Sequence, residues 1–94
     1  LEPGTEVSIR ELSPRHVGNK VVVRGSVKNI SRTIDGSFIT LKDPLGFVRV
    51  NMPPREATEL EPGEKVAVLG EVNYSQKRHA TEIDFIGWKE KQNK

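Results

Sequence analysis

Phe38, Phe47 and Arg49 stand within twelve positions of one another in a stretch of alternating aliphatic residues. An aromatic ring offers a face on which a nucleic-acid base stacks, and a guanidinium neutralises phosphate and stacks through its own plane. Lys42 and Asn51 fall in the same stretch. Lys28 and Arg32 lie before it and Lys77 and Arg78 after it, with Tyr74 beside the second pair. These residue types hold a flat, anionic polymer. They do not break bonds.

Catalysis finds no comparable support. His16 and His79 are 63 positions apart, and no serine or carboxylate pattern ties them together. With no cysteine there is no disulfide scaffold, thiolate metal site or cysteine nucleophile. Glu82 and Asp84 share one face of a predicted strand, which is a common solubility feature. Glu56, Glu59 and Glu64 have no histidine beside them to complete a metal site. No phosphate-cradling loop of the form G-x-x-x-x-G-K-(S/T) occurs. Neither enzymatic activity, nor a cofactor, nor a metal is expected.

The elements that position these residues must be built by a small chain. Its 94 residues make one domain. At this size roughly 60–65% of the unfolded surface is buried, enough for a modest core. Hydrophobic residues are 34% and charged residues 30% of the composition, so the core depends on the ordered runs of valine and isoleucine. No apolar stretch approaches the ~20 residues of a membrane span, and no signal-peptide core is present. The chain begins at Leu1 rather than Met, as a domain cut from a longer chain does. A reducing, cytoplasmic location is expected, nucleoid-associated if the source is prokaryotic.

Net charge is only +2, but its distribution is uneven. Between Arg10 and Arg55 nine basic residues face three acidic ones, whereas positions 56–64 hold Glu56, Glu59, Glu61 and Glu64 with no basic residue. One-sided charge of this kind is a footprint of an anionic partner.

The hydrophobic period is two. Val21, Val23, Gly25 and Val27 alternate along a first strand, and Gly25 marks a bulge or a sharp bend in it. Lys28 to Thr33 reads as a loop that runs into an Asp35-Gly36 turn. Ser37–Lys42 is a second strand and Asp43-Pro44-Leu45-Gly46 a turn. Phe47–Met52 is a third strand, ended by Pro53-Pro54 because proline cannot donate to the ladder. Arg55–Leu60 makes one or two helical turns with Pro54 at the first position. Lys65–Tyr74 and Thr81–Trp88 are the fourth and fifth strands, joined by the basic tip Ser75 to Ala80. The pleat puts Ile39, Leu41, Val48 and Val50 in the interior, together with Met52. Phe38, Thr40, Lys42, Phe47, Arg49 and Asn51 are left outside.

Five strands with a short helix between the third and fourth predict an all-β, five-stranded Greek-key barrel of the OB fold. A single domain over residues 1–94 is expected, with the barrel at about 19–88. Residues 5–18 form an N-terminal cap in which Ile9, Leu12 and Val17 cover one open end. Residues 89–94 form a polar tail.

Two segments carry a family resemblance: LSPRHVGNKVVVRGSV (residues 12–27) and FITLKDPLGFVRV (residues 38–50). They resemble the anticodon-binding OB domain of class II aminoacyl-tRNA synthetases and the single-stranded-DNA-binding OB domains of the replication protein A type. LEPGEKVAVLGEV (residues 60–72) is more similar to the second group, whose strand link is short. One departure is that Tyr74 is the only aromatic near the later strands, where single-stranded-DNA-binding domains usually carry one. The resemblance spans about residues 9–88. It implies that Phe38, which opens F-x-x-L-K-D, stacks on a base, and that Arg49, three after Gly46, contacts an adjacent one.

The expected partner is single-stranded DNA or RNA. Phe38, Phe47 and Arg49 would supply stacking, Lys42 and Asn51 would share their face, and Lys28, Arg32, Lys77 and Arg78 would hold phosphate. The alternative for either ring is packing beneath a loop. The alternative for the whole domain is docking, by the same face or by the acidic Glu56–Glu64 segment, onto other domains or subunits of a replication, repair or RNA-processing complex. Fold alone does not separate the two.

Overall fold

Branched aliphatic residues at alternate positions suit a half-buried pleated surface, and they become strands here. The computed structural model describes residues 2–34 and 36–91. β1 (Thr5–Val7) and two single 3₁₀ turns (Ile9–Glu11 and Pro14–His16) lead into β2 (Lys20–Thr33). Then follow β3 (Gly36–Asp43), β4 (Gly46–Met52), the helix α1 (Pro54–Thr58), β5 (Lys65–Ser75) and β6 (Ala80–Lys91).

β2 closes the barrel by serving two partners. Lys20–Ser26 pairs antiparallel with β5, and Ser26–Thr33 pairs antiparallel with β3. β4 pairs antiparallel with β3, β6 pairs antiparallel with β5, and a short parallel contact, Val50–Ile83 and Asn51–Asp84, completes the ring. The predicted five-stranded barrel with its single short helix is present. Gly25 sits where β2 changes partners, and a Cβ there would come 2.5 Å from the Lys42 carbonyl oxygen. Only glycine lets the strands approach this closely. The bulge itself lies further on, between Val27 and Asn29.

Ile39, Leu41, Val48, Val50 and Met52 all fill the interior as expected, packed with Val21, Val23, Val27, Val68, Val72 and Ile83. The Asp43–Gly46 turn is held by the Asp43 carboxylate, which accepts the backbone N–H of Leu45 at 2.8 Å and of Gly46 at 3.0 Å. Pro54 opens α1, and the indole of Trp88 donates to Glu56 Oε1 at 2.9 Å, tying the helix to β6.

Four expectations need correction. Residues 5–7 form a strand, parallel to Val21–Val23 of β2, where the sequence suggested only a cap. Lys28–Thr33 is not a loop: Asn29 to Thr33 pairs with β3 from Thr40 back to Gly36. Ile30, paired with buried Ile39, is the single aliphatic residue of this stretch and packs against the core, so there is no period-two signal to read there. Val17 is exposed and does not cover the open end; the next residue, Gly18, donates its N–H to the Val72 carbonyl at 2.9 Å. Ile9 is buried and Leu12 partly so, and these two do pack against the core. Finally, β6 runs through Lys91, with Glu90 and Lys91 paired to Ala67 and Val66, so positions 89–91 of the predicted tail are strand. Asp35 of the predicted turn and residues 92–94 lie outside the described residues; Gly36 has a positive φ of 139° but is already the first residue of β3, paired with Thr33.

Candidate functional site

The β3–β4 register brings the outer-face residues together as the pleat requires. Phe38 lies opposite Asn51, Thr40 opposite Arg49, and Lys42 opposite Phe47. Arg49 is therefore the diagonal neighbour of Phe38, and its guanidinium carbon stands 3.6 Å from the ring centroid. The half-buried ring thus already has one face covered by a flat cation. Phe47 is 69% exposed, with the Lys28 ammonium 5.5 Å from its centroid. Phe47 is four positions along β4 from Asn51, the residue opposite Phe38, so the two backbone positions are about 13 Å apart along the strand.

Behind this platform lies a polar network that joins β4, β6 and the β5–β6 hairpin. Glu82 is only 2% exposed. Its carboxylate accepts Arg78 Nε at 2.6 Å and a terminal Arg78 nitrogen at 2.9 Å, and also Asn51 Nδ2 at 3.1 Å. Asn51 Nδ2 also donates to Asp84 Oδ1 at 3.2 Å, while Asn51 Oδ1 accepts Arg49 Nε at 2.8 Å. The hairpin that carries Arg78 is shaped by Ser75 Oγ, which accepts the Arg78 N–H at 3.1 Å, and by His79 with φ of 53°.

The electrostatics follow from this packing. The Arg78 hydrogen bonds hold the Glu82 carboxyl below the usual carboxylate range, helped by Asn51, while burial works the other way. The same contact raises the Arg78 guanidinium. Burial pushes Arg49 below its ordinary value, and the nearby Arg78 cation adds to that. Arg49 is thus a half-desolvated cation whose nearest carboxylate, Glu82, is 4.0 Å away and already taken by Arg78. Such a group favours an added anion.

The remaining predicted site residues are dispersed. Lys42 is exposed and borders a separate groove of about 600 Å³, lined also by Arg24 and Lys65. Arg32 donates to the carbonyls of Ala57 and Thr58 at 3.1 and 3.4 Å, and so steadies the end of α1. Tyr74 is half-buried and shares the side of β5 that carries Val72. Lys77 and Arg78 border a cleft of about 700 Å³ with Arg49, Asn51 and Asp84. Sequence reasoning missed Glu82, read as a surface carboxylate. Its burial depends on β4 lying beside β6, a contact that no local pattern announces. The only trace in the sequence was that Glu82 and Asp84 fall on one face of their strand, which does not tell a buried carboxylate from an exposed one.

No family model matches this chain, and no curated protein matches it. Solved structures do. An asparaginyl-tRNA synthetase from Pyrococcus horikoshii superposes with a TM-score of 0.79 at 22% identity, over 88% of this chain and 22% of that one. A replication protein A heterotrimer bound to single-stranded DNA gives 0.63 at 22% identity, over 77% and 56%. The chain is an OB-fold domain. An OBody bound to hen egg-white lysozyme shares the OB fold at a TM-score of 0.82 and 22% identity, over 100% of this chain and 99% of that one. This OB domain spans only about a fifth of the synthetase it matches.

Proposed function

We propose that this OB domain binds single-stranded nucleic acid across the outer face of β3 and β4. Bases would stack at Phe47 and at the Phe38–Arg49 pair, and Lys28, Lys77 and Arg78 would meet phosphates. The observation that carries this reading is the Arg49 guanidinium stacked on Phe38 beside a solvent-open Phe47. Aromatic faces interleaved with cations accept every base and track a backbone. The synthetase and replication protein A neighbours agree with this kind of partner. A base entering at Phe38 either stacks on the guanidinium or displaces it to reach the ring. The domain contributes binding and no chemistry of its own.

Fluorescence anisotropy with a labelled single strand of about 12 nucleotides, within the ~4–16 expected for one OB fold, tests the reading. Single strands should bind better than duplex, whose base faces are hidden in the stack. Log K should fall by about 0.7 per log unit of salt for each phosphate contact. Absence of binding at low salt would remove the proposal.

A second reading, protein docking on the same face, is favoured by one observation: a chain of this fold and length is an OBody bound to lysozyme. The acidic segment offers less to a partner. Glu56 is engaged by Trp88, Glu59 pairs with Lys91 at 3.3 Å, and Glu64 is buried.

A further inference from the structure

Asn51 stands at the centre of the outer-face network, and its neighbours decide which way its amide points. A carboxamide has nearly the same shape in either orientation, so hydrogen bonding alone selects the end that carries the oxygen. On one side Asn51 Nδ2 donates to Glu82 Oε1 at 3.1 Å and to Asp84 Oδ1 at 3.2 Å. On the other side Asn51 Oδ1 accepts Arg49 Nε at 2.8 Å. A flipped amide would set its oxygen against two carboxylates and its N–H groups against the Nε–H of Arg49. Both contacts would then be repulsive. The acceptors come from another strand: Asp84 lies opposite Asn51 across the parallel β4–β6 pair, and Glu82 is two residues before it on the same face. Glu82 is 2% exposed and held by two hydrogen bonds from Arg78, so it does not turn away to water.

From this arrangement we infer that Asn51 is a positioning residue, whose amide, oriented by Glu82 and Asp84, holds the Arg49 guanidinium over Phe38 where a base meets it. The guanidinium carbon is 3.6 Å from the ring centroid, and the bond to Asn51 uses Nε, the nitrogen nearest the stem. The terminal nitrogens and the outer plane of the group are left to a ligand. An untethered arginine samples many rotamers, and ordering it on binding costs affinity. The tie to Asn51 removes that freedom before the strand arrives. This role differs from a base or phosphate contact, because both amide hydrogens and the amide oxygen of Asn51 are already engaged within the protein. The inference rests on the nucleic-acid reading of this face.

The tie is tested first without nucleic acid, by NMR of isotopically labelled protein. In the parent the Arg49 Nε–H should give a distinct, slowly exchanging signal. Asn51→Ala should speed its exchange and move the Phe38 ring protons. Asn51→Asp keeps an acceptor for Arg49 and should keep the slow signal. Asp84→Ala leaves Arg49 and Asn51 in place but removes one acceptor of the amide, so it too should speed the exchange; it carries the test should Asn51→Ala fail to fold. Exchange at Arg49 Nε that neither alanine variant alters overturns the inference. Binding of a labelled single strand of about 12 nucleotides is then followed by fluorescence anisotropy. Asn51→Ala should weaken it about two- to tenfold, the scale of ordering one long side chain, with the salt slope unchanged because no cation is lost. In an Arg49→Ala background the same substitution should change the affinity no further, because Asn51 acts through Arg49. Losses that add would mean that Asn51 touches the strand itself, and a rise in affinity would mean that the guanidinium must leave to admit a base. Either result overturns the inference. If the oligonucleotide fails to bind at all while the Nε–H signal responds as expected, the nucleic-acid reading falls and the tie itself stands.

Discussion

Replacing Phe38 by alanine separates stacking from packing. The ring is half-buried and carries the Arg49 guanidinium at 3.6 Å. Truncating a fully buried phenylalanine costs about 3–5 kcal/mol, and a half-exposed one should cost roughly half, about 2 kcal/mol including the lost cation–π contact. In a domain of this size that corresponds to a fall of about 8–16 °C in melting temperature. Losing one base–aromatic stack should separately weaken single-strand binding by about 1–3 kcal/mol, or roughly 5–150-fold, with the salt slope nearly unchanged. Phe38→Leu is the companion variant. It restores most of the apolar volume but none of the π-face, so it should recover the melting temperature and not the affinity. Melting and binding are measured on the same samples. A leucine variant that binds like the parent would show that the ring face is not used, and a base at this site would then have to stack on Arg49 alone.

Arg49→Ala should weaken binding and also flatten the salt slope, because it removes a cation. Glu82 titrates below the ordinary carboxylate value of 4.5, so its stabilisation is present above that pH and is lost as pH falls through the lower folded value. The gap in melting temperature between the parent and Glu82→Gln should therefore be largest near neutrality and close under acid; a gap constant with pH would contradict the burial and pairing of Glu82. Gly25→Ala should destabilise by about 1–3 kcal/mol, since its methyl meets the Lys42 backbone, while folded protein keeps its affinity. Full stability in that variant would mean that β2 does not pass β3 so closely.

The barrel was legible because Ile39, Leu41, Val48 and Val50 alternate cleanly, and a pleat leaves their neighbours no choice of face. The same alternation set Phe38, Arg49 and Phe47 on one surface before any pairing was known. Non-local contacts were not legible. β1 consists of Thr5-Glu6-Val7, too short and polar to carry a period, and it exists because β2 presents a free edge to it. Lys28–Thr33 looked like a loop because Ile30 is its single aliphatic residue, and one residue shows no period. Glu82 is an ordinary surface residue type. Glu82 is buried by Arg78, four residues along the hairpin, and by Asn51 of β4, and only the folded ring of strands brings them together. The roles of Arg32 and Lys42 diverged for the same reason. Charge and loop position said nothing of the helix end that engages Arg32 or of the separate groove beside Lys42.

The most direct measurement is an amide and aromatic NMR map of labelled protein titrated with a short single-stranded oligonucleotide. Binding across the β3–β4 face predicts shifts concentrated at residues 36–42, 47–51 and 77–84, with the Phe38 and Phe47 ring protons moving upfield as bases stack. Shifts gathered instead around Arg24, Lys65 and Glu90, with both rings unmoved, would contradict it.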